Sequence, residues 1–158
     1  MIGARVTFVD VYVVREPAGA GRGLEFLALR RAHGGRCPGS WEAVHGSIEE
    51  GEHPVAAARR ELLEETGLTT TRLYNLSRVE GFYRHLTNDV ALIPVFVAFV
   101  PAAATVKIGA EHDSAEWLAP GVALDRYTWP RARRCVEDVI ALLERGDAGP
   151  VEDVVRIC

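Results

Sequence analysis

Three glutamates, Glu61, Glu64 and Glu65, stand at i, i+3 and i+4 in a stretch bounded by Pro54 and Gly67. Proline is tolerated in a first helical turn, where its missing N–H has no intrahelical partner, and glycine is favoured just past a helix end because it accepts a left-handed backbone. The bracketing predicts a helix over residues 54–66, and the spacing puts the three carboxylates on one face. Like charges crowded on one face repel at neutral pH, and a divalent cation turns that repulsion into binding. Hard oxygen ligands suit Mg²⁺ or Mn²⁺ rather than zinc. The opposite stripe of Val55, Ala58, Leu62 and Thr66 is suited to packing on a sheet.

The remaining chain supplies that sheet. Residues 6–14 are apolar and β-rich and read as a buried strand. Residues 24–29 read as its return across the proline- and glycine-bearing loop 16–23, which together predict a hairpin. A second glycine-rich loop, residues 31–40, leads into Trp41. Residues 73–82 and 90–100 read as two strands joined by the polar segment 83–89, and residues 116–118 as a short strand. Residues 129–145 predict a second helix, with Ala132, Val136, Val139, Ile140 and Leu143 on one face. The tail from Gly146 to Cys158 reads as a short strand or a docked segment. No repeat or linker divides the 158 residues, so strands flanked by helices predict a single α/β domain.

Composition narrows the function classes. A net charge of −4 and a pI near 5.7 exclude a global basic surface for nucleic-acid polymers, while leaving room for a local patch that grips a compact phosphate. Cys37, Cys135 and Cys158 are odd in number and lack metal-ligand spacing, which predicts free thiols in a reducing compartment. The chain starts straight into strand pattern, and its longest apolar run, residues 90–100, contains Pro94 and is too short for a bilayer. A cytoplasmic protein with no membrane partner is the expectation.

Gly46, five residues, Glu52, seven residues, then Arg60-Glu61-Leu62-Leu63-Glu64-Glu65-Thr66-Gly67-Leu68 resembles the Nudix box at every specified position. The resemblance implies a Nudix fold, a mixed curved β-sheet sandwiched between α-helices, and Mg²⁺-dependent hydrolysis of a diphosphate linkage in a small phosphoanhydride. It implies that Glu61, Glu64 and Glu65 hold the metal. It also implies that Glu52 and Arg60 orient those ligands, an arginine fork being able to grip a carboxylate bidentately. Gly46 and Gly51 are expected to let the loop backbone turn beside the phosphates. Family members include homodimers, so a second copy is a candidate partner.

Outside the box, the run from Trp41 to Glu52, with Trp-x-x-Val-x-Gly-Ser, looks like the dATP and dihydroneopterin triphosphate pyrophosphohydrolases. So does Glu111-His112 followed by Glu116-Trp117-Leu118. That likeness implies Glu111 as a further metal ligand or base reaching in from a loop, and a nucleoside or pterin triphosphate as substrate. Arg30, Arg31 and Trp41 are candidate substrate contacts, while Tyr83, Arg84 and His85 read as an inert polar loop and His45 and His53 as incidental. Two readings compete with a triphosphate hydrolase. One is a hydrolase of nucleoside diphosphate derivatives or dinucleoside polyphosphates. The other is a silent Nudix-fold binding module, which typically loses box carboxylates; this chain has lost none.

Overall fold

The computed structural model describes residues 2–19, 21 and 23–158; Met1, and Ala20 and Arg22 of the predicted 16–23 loop, lie outside the described residues. The strand expected over residues 6–14 divides at Thr7 into β1 (Gly3–Val6) and β2 (Phe8–Arg15), and its partner is β3 (Glu25–Arg31). Two short strands follow, β4 (Trp41–Glu42) and β5 (Val44–Ser47), then helix α1 (Pro54–Thr66). β6 (Arg72–Arg84) and β7 (Asp89–Phe99) are the two strands expected on either side of the polar segment, and they pair antiparallel as a hairpin. β8 (His112–Leu118) is longer than expected. It leads into α2 (Pro120–Arg126), a short helix that the breakers Pro120 and Gly121 conceal in the sequence. The second predicted helix is α3 (Pro130–Leu143), and the tail ends in a 3₁₀ turn (Gly149–Val151) and α4 (Glu152–Val155).

β2 and β7 form the spine of a mixed sheet, running parallel from Asp10 opposite Val95 to Val14 opposite Phe99. β1 also runs parallel to β7, whereas the other pairings are antiparallel. Because strand side chains alternate between faces, the spine feeds two cores. Tyr12, Val14, Val95, Val97 and Phe99 meet Ala132, Val136, Val139 and Leu143 of α3 on one face. Val9, Val11, Val13, Phe96 and Ala98 meet Ala57, Ala58 and Leu62 of α1 on the other. Burial on both faces explains why these strands read as continuous apolar runs.

α1 matches its predicted bounds. His53 caps its start, the ring Nδ1 accepting from the Val55 N–H at 3.3 Å, so this histidine has a structural task. Gly67 closes the helix in the left-handed conformation at φ 68°. The tail docks: Val155 joins the α3-side core, Ile157 N–H donates to Leu73 O at 2.8 Å, and Tyr74 Oη donates to Glu152 at 2.9 Å. All three cysteines are free thiols, with Cys135 buried. No helix among the described residues is long and apolar enough to cross a membrane.

The face assignment of α1 is testable at adjacent positions. Leu62 is 1% exposed and Leu63 52% exposed. Leu62→Ala should cost about 2–5 kcal/mol in denaturant melts, and Leu63→Ala within about 0.5 kcal/mol of zero.

Candidate active site

The site opens where the sheet forks. β2 pairs with β3 only at Val14–Phe26 and Arg15–Glu25. The two strands then diverge, β4 adding to β3 at Leu29 and Arg30, and β5 adding to β2 between Phe8 and Val11. Between the two arms, with α1 beside them, lies a cavity of 740 Å³. Glu42 and Arg31 come from one arm, Asp10, His45 and Gly46 from the other, and Glu61, Glu64 and Glu65 from α1.

Gly46 sits inside strand β5, so the expectation that it turns a loop is corrected: its role is close approach. A Cβ at this position would lie 1.8 Å from the Glu61 carboxyl carbon. The missing side chain is the space that Glu61 occupies. Gly51, at φ 76°, does turn the chain ahead of Glu52.

Arg60 binds the acids together. Its Nε and Nη2 donate to the two oxygens of Glu52 at 2.9 and 2.8 Å, and Nη2 also donates to Ser47 O at 2.8 Å. Nη1 donates to Glu61 at 2.7 Å and to Glu64 at 3.3 Å. The fork holds the Glu52 carboxyl down at about 2, aided by the backbone around Glu49. One guanidinium therefore fixes two of the three clustered glutamates and is itself anchored by Glu52 and the β5 backbone.

Glu65 lies deepest, 6% exposed, and its Oε2 is buried with no hydrogen-bond partner. Burial, and then the charges of Glu61, Glu42 and Glu111, push its carboxyl up to about 9, against the pull of the His45 backbone N–H. A buried carboxyl in this state is either protonated or matched by a cation.

Glu111 reaches the cavity on a segment strapped to the end of α1, where Lys107 N–H donates to Thr66 O at 2.8 Å and Gly109 N–H to Glu65 O at 3.0 Å. Arg31 bridges Glu111 (3.1 Å) and Glu42 (2.8 Å), and buried His112 contacts Glu42 through Nε2 at 3.2 Å. Glu42 is a fifth carboxylate that sequence reasoning missed; beside Trp41, in no recognised spacing, it carries no signal of its own. Among the described residues no three of these side chains already converge as a closed metal shell. The donor set is nonetheless all hard oxygen, and the unpartnered Glu65 Oε2 is the atom a Mg²⁺ ion would satisfy.

The opposite wall is aromatic and basic. Phe8 stacks on His45 with ring centroids 5.1 Å apart, and Phe82 meets Trp129 edge-on at 6.1 Å. Arg84, His85 and Arg131 line the same space, so Arg84 and His85 are corrected from inert loop to cavity wall and His45 from incidental to lining, whereas Tyr83 stays exposed and does not line it. Of the proposed substrate contacts, Arg31 faces the cavity, whereas Arg30 and Trp41 do not line it. Arg30 pairs with Asp113 at 2.7 Å, and the guanidiniums of Arg30 and Arg126 lie over the Trp41 ring at 5.8 and 4.8 Å.

Comparison with known proteins agrees with this arrangement. The family described as the NUDIX domain matches residues 6–139. An octanoyltransferase from Myxococcus xanthus is 38% identical over 131 residues, covering 77% of this chain and 34% of that protein. The chain spans about a third of the length of the curated relatives it matches first. A C. elegans Ap4A hydrolase superposes with TM-score 0.71 at 21% identity, over 87% of this chain and 96% of that one. The E. coli dihydroneopterin triphosphate pyrophosphohydrolase does so with TM-score 0.64 at 24% identity, over 89% and 99%. At such identities the likeness establishes the fold, and it does not single out one subgroup.

The state of Glu65 sets a stability trend. Its folded-state value, about 9, exceeds the ordinary carboxylate value of 4.5, so the folded metal-free protein holds a proton that the unfolded chain releases. Metal-free stability should fall as pH rises between those values. Glu65→Gln should remove that slope and melt higher than the parent at pH 8, by about 2–4 °C for each kcal/mol recovered, with little difference near pH 4.5. Gly46→Ala should displace Glu61 and cost about 1–3 kcal/mol of stability by thermal melt.

Proposed function

Because this chain belongs to the Nudix family, we propose that it hydrolyses a diphosphate linkage in a nucleotide-type compound with Mg²⁺, converting a nucleoside or pterin triphosphate to the monophosphate and free diphosphate. The observation that carries this reading is the buried Glu65 carboxyl, whose Oε2 has no partner and which shares one cavity with Glu61, Glu64 and Glu111. Those four residues would hold Mg²⁺, with Mn²⁺ as a substitute. The metal supplies the positive charge that offsets charge developing on the phosphate oxygens.

The chain's own residues do the rest. Arg60 keeps Glu61 and Glu64 oriented, so little reorganisation accompanies reaction. Arg31 and Arg84, both in the cavity lining, suit anionic oxygens. Water attacks one phosphorus. A new P–O bond forms as the bridging P–O bond breaks, the electron pair leaves with the departing phosphate, and a carboxylate takes the proton of water. Glu64 and Glu111, with side chains 58% and 65% exposed, are the acids that reach solvent for this task.

Glu64→Gln and Glu65→Gln should each lower Mg²⁺-dependent turnover by about 10²-fold or more while far-UV circular dichroism stays unchanged. Product analysis is the second readout. Free diphosphate marks a triphosphate substrate, and two monophosphates mark a nucleoside diphosphate derivative instead. Full turnover in both variants overturns the assignment.

A further inference from the structure

The aromatic lobe of the cavity holds a polar group that the phosphate chemistry does not use. Asp10, on β2, is 2% exposed, and both its oxygens are engaged. Oδ1 meets His45 Nδ1 at 2.6 Å and Oδ2 accepts from Arg131 Nε at 3.2 Å. Burial alone would raise its pKa, but the imidazole and guanidinium outweigh burial and hold it below the ordinary carboxylate range. An ionised Asp10 only accepts, so the His45 ring donates to it from Nδ1.

Arg131 is held from two sides, by Asp10 through Nε and by the Trp129 ring 5.1 Å from its Cζ. Its Nη1 and Nη2 make no hydrogen bond among the described residues, and the residue lines the cavity. The lobe thus offers a pair of N–H donors beside an imidazole, among the aromatic rings of Phe8, Phe82 and Trp129, with His45 stacked on Phe8 and Arg131 over Trp129. A lining of aromatic and planar groups takes a planar ring. A rigid guanidinium fork takes a ring edge bearing two adjacent acceptors.

The geometry points to a heterocycle subsite in which Arg131, positioned by Asp10, selects rings carrying a carbonyl oxygen beside an unprotonated ring nitrogen, as in 6-oxopurines and 4-oxopteridines, over 6-aminopurines. This rests on the hydrolase reading only in that it names the heterocycle of the same substrate. An adenine amino group placed against the fork sets donor against donor, leaving buried N–H groups unpaired. Trp129 and Arg131 stand at the start of α3, and Asp10 and His45 are opposed across the β2–β5 pair, so three elements build the reader.

Equilibrium binding of monophosphates, which needs no turnover, tests it. Inosine monophosphate and dihydroneopterin monophosphate are each titrated against adenosine monophosphate. At least one oxo ring should bind about tenfold or more tightly than adenosine monophosphate, and the tighter of the two identifies the natural ring. Arg131→Gln should abolish or invert that ratio. Arg131→Lys keeps the charge that buried Asp10 requires and so guards against misfolding, but lacks the fork, and should lose most of the preference. Equal binding of amino and oxo rings by the parent protein, or an unchanged ratio in folded Arg131→Lys, overturns the inference. Triphosphate turnover measured in parallel reports separately: selective binding without any diphosphate release sinks the triphosphate-hydrolase reading and leaves the ring selectivity standing.

Discussion

Mutual repulsion among carboxylates is the constraint around which this structure is arranged. Glu61, Glu64 and Glu65 share a helix face, Glu42 and Glu111 approach from the β3 arm, and Glu65 is the most buried of them. A fold that gathers these five acids, with Asp10 as a sixth, in one cavity must compensate them, and it does so unevenly. Arg60 and Arg31 each bridge two or more of the acids. Glu65 has no such cation, and it carries both the largest upward displacement among the acids and the unpartnered oxygen. The uncompensated position is the one that the proposed metal ion would match, its carboxyl otherwise holding a proton.

The fork in the sheet makes the gathering possible. Had β2 and β3 paired along their whole lengths, hydrogen-bonded backbone would fill the space the acids occupy. Divergence after Val14–Phe26 leaves each strand to recruit a short partner, and the chain crosses from one arm to the other within a single residue, Ala43. That crossing places Glu42 and His45 on opposite sides of the same cavity. It also separates two kinds of surface, one acidic and suited to phosphate with metal, the other flat, aromatic and basic.

Legibility of the fold followed the range of the interactions. α1 and its ends were readable because proline, glycine and the apolar stripe act within a few residues. β6 and β7 were readable for the same reason. β5 and α2 were not, since one is a four-residue strand whose identity depends on finding β2, and the other has breakers in its first turn. Arg84, His85 and His45 looked inert for a related reason. Nothing local marks a side chain as facing a cavity whose other wall lies tens of residues away.

From the one-dimensional chain came the chemistry: which carboxylates share a face, which arginine stands beside them, and that the set suits a hard divalent cation. These are consequences of helical periodicity and side-chain type, both local. Tertiary structure alone decided that Gly46 is a cradle for Glu61 rather than a hinge, that Glu42 and Arg31 join the acids while Arg30 and Trp41 turn elsewhere, and that Asp10, His45 and Arg131 meet. Contacts between residues as distant as Asp10 and Arg131 depend on how sheet and helices pack, and packing depends on the burial of the whole chain, not on any spacing within it.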